Sequence, residues 1–356
     1  MKLAPNTKIR ATDDAENEWE IITSLESTRH RHSYLARSCR PDLEDQIVKL
    51  TVCRYEERLL GNRNYVDNLR RRLMHEAEML TVPLNVLPEP VDLFTCQNPV
   101  DRFRFDGAKG YSTQEPVLVT EAYAGDSLEG IIQAESGISE ARALRIALQL
   151  CALLDDLHRR GVLAYELRPE DIIVDASDHD RVWLLGCANF QRFRTDGVLQ
   201  PNELVVPLSD FSFAAPEVEA GKPLDVRADQ YSLGAILLYM LTGRIARNER
   251  KQGEVPAAAF LKRFSEPTRQ FVVRCLAREA VDRYGDSRAA KASLRTAFRR
   301  LGGDVWDGPE DVAVTERFVP KREAAFLEKE GAHDNVSPIK AAWRGVTRWF
   351  VELAAG

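Results

Sequence analysis

The chain has 356 residues, 44% hydrophobic and 29% charged, with a net charge of −6; that leaves room for one large domain or two modest ones and no basic excess arguing for nucleic acid as a partner. Its six cysteines, Cys39, Cys53, Cys96, Cys151, Cys187 and Cys275, are scattered without a CxxC pair, which speaks against zinc and redox motifs and suits free thiols in a reducing compartment. The N-terminus lacks a long apolar core and no run of about 18 apolar residues occurs, so neither a signal peptide nor a membrane span is expected and the default address is cytoplasmic.

Residues 1–15 are polar and expected to form a flexible tail. From Trp19 to about Val119 the pattern is of short strands around one helix. In QIVKLTV (46–52), Val48, Leu50 and Val52 face one way and Ile47, Lys49 and Thr51 the other. NYVDNLRRRLMHEAEML (64–80) reads as an amphipathic helix with Leu69, Leu73 and Leu80 on one stripe. Glu76 falls on that stripe, where a carboxylate calls for a cation; Lys49 is a candidate. EPVLVTEAY (115–123) reads as a buried strand, after which the chain turns mostly helical. Residues 139–161 carry a Ser N-cap, an apolar stripe and a glycine stop. DIIVD and RVWLLG resemble two short strands around the polar turn ASDHD. Residues 228–244 are apolar on nearly every face, as a buried central helix would be, and helical patterns continue to about Leu301. Residues 302–311, rich in Gly and acid, mark a boundary. The last stretch, 336–356, is expected to form a basic amphipathic helix with Trp343, Trp349 and Phe350.

This order of landmarks resembles the protein kinase fold over roughly residues 17 to 302. QIVKL is similar to the strand of the ATP-anchoring lysine, here Lys49, and LMHEAEML to the helix of its partner glutamate, here Glu76. VLVTEAYAGDSL resembles the hinge, with Thr120 as gatekeeper followed by Glu121 and Tyr123. AYELRPEDIIV resembles the catalytic loop H-R-D-L-x-x-x-N, and LLGCANF stands where D-F-G should be. AAPE (214–217) matches the end of the activation segment; Asp229 opens the central helix; Arg283 stands where the family pairs an arginine with the A-P-E glutamate, here Glu217. The run CLAREAVDRY is most similar to bacterial Ser/Thr kinases of eukaryotic type. The fold implied is α+β and two-lobed: a tail to residue 15, a β-rich lobe over 16–122, a helical lobe over 123–302, an acidic linker over 303–335 and the helix 336–356.

The chemistry of that family is eroded at named positions. The glycine-rich loop becomes LESTRHRHSYLA (25–36), without a glycine. Arg29, His30, Arg31 and His32 could attract an anion there, but a solvated hairpin tip is the favoured expectation. The metal-holding aspartate of D-F-G is Gly186, which has no ligand atom, and Mg²⁺ needs oxygen donors. The catalytic base is replaced by Glu166, one methylene longer, and the metal-holding asparagine by Asp171. Misplacing a catalytic group by about 1 Å can cost roughly 100-fold in rate. Ala164 and Cys187 truncate two packing side chains, Tyr165 replaces the arginine that receives an activation phosphate, and Ile47 and Ser33 alter the adenine walls. Glu217, Asp229 and Arg283 remain as scaffold.

The expectation is a pseudokinase acting as a binding scaffold or allosteric partner of another signalling protein, such as an active kinase. Lys49, Glu76, Thr120, Glu121 and Tyr123 would form a vestigial nucleotide site with weak or absent ATP binding and no Mg²⁺. The helix 336–356, through Trp343, Trp349 and Phe350, packs on its own lobe, a protein partner or an anionic membrane surface. The rival reading is a divergent phosphotransferase using Lys49, Glu166 and Asp171 with an unusual metal geometry.

Overall fold

The computed structural model describes residues 3–25, 28, 30–40, 46–56, 59, 62–82, 87–97, 114–123, 125–193, 197–200, 211–245 and 261–303. The acidic linker beyond 303 and the helix expected over 336–356, with Trp343, Trp349 and Phe350, lie outside them. The chain divides into two compact units, one of Met1–Thr81 with Pro88–Ala122, the other of Val82–Leu87 with Tyr123–Gly308.

Among the described residues, the first unit is a six-stranded antiparallel sheet with one helix. Its strands are β1 (Lys8–Arg10), β2 (Glu18–Ser24), β3 (Arg31–Ser38), β4 (Ile47–Cys53), β5 (Pro90–Gln97) and β6 (Gln114–Glu121), in the order β1-β2-β3-β4-β6-β5. The alternation in β4 sets the faces: Val48, Leu50 and Val52 enter a core with Trp19, Ile21, Tyr34, Ala36, Val117 and Val119. Lys49 and Thr51 point the other way, with Lys49 directly between Leu35 of β3 and Thr120 of β6. The helix α1 (Arg63–Met79) begins at Asn62, whose side chain accepts from the Tyr65 N–H.

The segment expected as a loose tail belongs to this sheet. Leu3, Ile9 and Ala11 are buried in the same core, and the Leu3 N–H donates to the Tyr34 hydroxyl at 3.1 Å. Just past β1, the Thr12 N–H donates to the carbonyl of Thr95 in β5, at 2.8 Å. Asn17 reinforces the link: its Nδ2 donates to Asp92 at 2.6 Å and its Oδ1 accepts from the Trp19 indole at 2.8 Å. The two edges of the sheet are thereby bridged, which protects strands that would otherwise offer unpaired backbone groups. The few apolar residues among many polar ones were too sparse to show this by composition.

The second unit is helical around short β ribbons. Its strands are β7 (Asp126–Ser127), β8 (Val162–Leu163), β9 (Ile172–Asp175), β10 (Arg181–Leu184) and β11 (Gln191–Arg192), arranged among the described residues as β10-β9-β7 and β11-β8. Its helices are α2 (Leu128–Glu135), α3 (Glu140–Arg159), α4 (Pro216–Glu219), α5 (Arg227–Thr242), α6 (Glu266–Cys275) and α7 (Ser287–Arg300). Ser127 and Ser139 cap α2 and α3 through side-chain oxygens. α5 is buried from Ala228 to Leu241, as its uniformly apolar sequence requires, and Gly243 ends it with φ of 67°. α6 comes so close to α5 at Gly234 that an added Cβ would overlap the Cβ of Cys275.

Candidate functional site

In the first unit, Glu76 is engaged by a cation that the sequence reading had assigned to a solvated turn. Nη1 of Arg31 donates to both Glu76 carboxylate oxygens, at 2.9 and 3.1 Å, and both side chains are almost withdrawn from water, at 11% and 3% exposure. Arg31 and His32 are buried as the opening residues of β3, not an exposed hairpin tip. The available signal was parity: the β3–β4 register sets Ser33 opposite Thr51 and Leu35 opposite Lys49, so Arg31 shares their face. Lys49 is itself buried, at 2% exposure.

A second buried pair also joins α1 to the sheet. Arg70 of α1 donates to Glu115 of β6, which also accepts from the Tyr55 hydroxyl at 2.5 Å. Burial alone would lower the pKa of Arg70, but the charge and hydrogen bond of Glu115 outweigh it and hold the guanidinium more firmly protonated. Burial, with the neighbouring Cys53 and Glu115, pushes the Tyr55 phenol well above its ordinary range. None of these three residues was singled out in the sequence, although Arg70 adjoins the Leu69–Leu73 stripe.

All three hinge residues carry structural bonds. The Glu121 N–H donates to the Glu89 carbonyl at 2.9 Å and its carboxylate accepts from the Glu89 N–H at 3.2 Å. Thr120 is buried and its hydroxyl donates to the Glu121 carbonyl at 3.1 Å. Tyr123 falls in the second unit, where its ring stacks on Trp183 at 4.2 Å and its hydroxyl donates to the Leu87 carbonyl at 3.1 Å. Arg181 in turn lies over the Trp183 ring, 4.2 Å from its centroid. Ile47 is 46% exposed, while Ser33 is buried.

In the second unit, the loop 164–171 and the turn 185–190 are brought together. The Leu185 N–H donates to the Asp171 carbonyl at 2.8 Å, and Asn189 Nδ2 donates to the Glu166 carbonyl at 3.3 Å. The Glu166 carboxylate is buried with the Arg168 guanidinium 3.6 Å away, whereas Asp171 ends a short 3₁₀ turn and is partly exposed. Gly186 is buried and offers no side-chain oxygen. Ala164, Cys187 and Phe190 are all buried, and Phe190 supplies a large ring to the same turn as Cys187. Among the described residues, no three His, Cys, Asp or Glu side chains gather where they could hold a metal ion.

Asp229 fixes the backbone of this loop. One carboxylate oxygen accepts from the Tyr165 N–H at 2.8 Å; the other accepts from the Ala164 N–H at 2.8 Å and faces His158 Nε2 at 2.8 Å. Tyr165 has φ of 65°, a conformation that L side chains rarely adopt, so the bonds from Asp229 hold a strained residue in place. His158, within the helix read over 139–161 but given no role by the sequence, bridges Asp229 to the Ser287 hydroxyl, 2.9 Å from its Nδ1. Elsewhere, Arg283 donates to both oxygens of Glu217, at 2.6 and 2.9 Å, and to the carbonyls of Arg227, Ala277 and Arg278.

A family model described as protein kinase domain matches residues 108–295, more than half of the chain. The chain belongs to the protein kinase family. Its architecture is the α+β, two-lobed class of that family, with a β-rich N-terminal region and a helical C-terminal region. It is similar to the serine/threonine-protein kinase PknB of Mycobacterium tuberculosis H37Rv, 24% identical over 212 residues, 57% of this chain and 33% of that protein. The PknB of Mycolicibacterium smegmatis is 24% identical over 259 residues, 67% of this chain and 40% of its own. The serine/threonine-protein kinase PknK of M. tuberculosis H37Rv is 29% identical over 235 residues, 62% of this chain and 20% of its own. The chain therefore spans between a fifth and two fifths of the length of these relatives. Among its described residues, no helix is long and apolar enough to cross a membrane.

Proposed function

We propose that this kinase-family chain is catalytically impaired and acts as a protein-binding scaffold or allosteric regulator in signalling. The observation that carries the reading is Gly186. Kinase chemistry neutralises phosphate charge with Mg²⁺ held by the D-F-G aspartate and the catalytic-loop asparagine. Here the first donor is a buried glycine, and the carboxylate at the base position, Glu166, is buried beside Arg168. Asp171 keeps a carboxylate at the second donor position, but with the first donor lost the set does not fit the ion as the family holds it. The scaffold bonds of Asp229 and Arg283, by contrast, are complete. Weak or absent ATP binding follows, with a protein partner, no nucleic acid, a cytoplasmic setting, and recruitment through exposed surfaces or through residues 336–356.

Thermal melting tests this directly. A ligand at 100 times its Kd stabilises by about 2.7 kcal/mol. ATP with Mg²⁺ is expected to leave the melting temperature unchanged; a sizeable rise that needs both components would sink the proposal. Pull-down with the intact chain and with 336–356 removed then assigns the recruiting segment.

One observation favours a second reading, a divergent phosphotransferase. Asp229 and the Leu185–Asp171 bond hold the loop of Glu166 and Asp171 in an ordered frame. Incubation with labelled ATP, comparing the chain with Lys49→Ala and Asp171→Ala, separates the two: transfer lost in both variants establishes the enzyme.

A further inference from the structure

The glycine-rich loop of the family has the pattern G-x-G-x-x-G-x-V. Ser33 stands at its valine, which puts Arg31 at the third glycine. A residue normally without a side chain is here a guanidinium, buried and held on both oxygens of Glu76. The polarity of the two helix–sheet pairs is reversed. Arg31 reaches from the sheet to a glutamate of α1, and Arg70 reaches from α1 to Glu115 of the sheet. Residues 70 and 76 lie nearly two turns apart, so α1 is held at two levels and cannot slide or rotate without exposing a buried charge. Both contacts are made by the chain's own side chains.

We propose that Arg31 is an internal latch. It fixes α1 on the sheet through Glu76 with no ligand bound, so the helix position is set by the chain itself and not by a nucleotide. This goes beyond the reading of function given above, because it concerns the first unit alone and does not depend on how Gly186 or Asp171 treat a metal.

Hydrogen exchange of the full chain, followed by mass spectrometry, tests the latch. In Arg31→Gln and in Glu76→Gln, amides of residues 66–79 should exchange at least about tenfold faster, with α5 unchanged. The double variant should exchange no faster than the faster of the two single ones, since both remove the same contact. Unchanged protection over 66–79 in Arg31→Gln, or accelerations that multiply in the double variant, would overturn the proposal. Arg31→Lys guards against a variant that fails to fold: it keeps the charge and should loosen α1 less than Arg31→Gln does, and equal loosening counts against a charge-based latch. In the wild-type chain, ATP and Mg²⁺ should leave exchange over 66–79 unaltered, and a tenfold slowing would show that ligand sets the helix. A melting shift with ATP and Mg²⁺, with exchange over 66–79 unaltered, would remove the functional reading and leave the latch standing.

Discussion

Asp229 shows how one side chain can hold the backbone of a loop in place. Its carboxylate receives two backbone N–H bonds and one contact from His158 at zero exposure. Removing one partner from such a buried charged network costs about 3–5 kcal/mol. Asp229→Ala should therefore lower the unfolding free energy by about that much in urea titration, and a loss below about 1 kcal/mol would contradict the account. The thiols give a second residue-scale test. Cys39 is exposed and the other five are buried, so a thiol reagent should label one cysteine quickly and five only on unfolding. Burial pushes the thiols of Cys96 and Cys151 from an ordinary value near 9 up to about 12. A raised folded-state pKa gives stability that is full below the unfolded value and is lost as pH rises through the folded one. Between pH 9 and 12 each of these thiols should reduce stability by about 1.4 kcal/mol per pH unit. Cys151→Ala should flatten that slope by one thiol's share in urea midpoints measured at successive pH values. At this scale Glu217, Asp229 and Arg283 were legible only through the resemblance to the kinase motifs AAPE, the opening of the central helix and CLAREAVDRY. Arg31 was not, because a run of four basic residues reads as solvated until the strand that buries it is known.

At the scale of elements, periodicity served well where the period was long. The spans read as 64–80, 139–161 and 228–244 correspond to α1, α3 and α5 to within a few residues. β1 has only three residues, too few for alternation to register. The two short strands around ASDHD were visible from their flanking turn, and His179 and Asp180 there both have positive φ. The closeness of α5 and α6 was invisible, since one glycine in an apolar helix does not say which neighbour it admits. Gly234→Ala tests it. Alanine should gain up to about 1 kcal/mol of helix propensity, yet overpacking a tight contact costs about 1–3 kcal/mol. The net result should be destabilising in chemical denaturation. Cys275→Ala should not rescue it, because alanine keeps the Cβ that collides; Cys275→Gly should recover part of the loss.

At the scale of the molecule, the N-terminal segment has the widest reach. Fully burying a side chain such as Leu or Ile contributes about 1.5–3 kcal/mol, so removing residues 1–11, which include buried Leu3, Ile9 and Ala11, should destabilise the first unit by several kcal/mol. The readout is melting of the truncated chain followed through the buried Trp19; an unchanged melting temperature would return those residues to the status of a tail. The strand order β1-β2-β3-β4-β6-β5 carries a further implication for synthesis. β5 leaves the ribosome before β6, yet its ladder partner is β6, so residues 90–97 emerge with only the few bonds of the N-terminal segment on offer until 114–121 follow. At translation rates of about 5–20 residues per second that wait lasts on the order of a second or more. A strand waiting for its ladder over that interval, with Leu93, Phe94 and Cys96 still uncovered, is where a holding chaperone would find its purchase on the nascent chain.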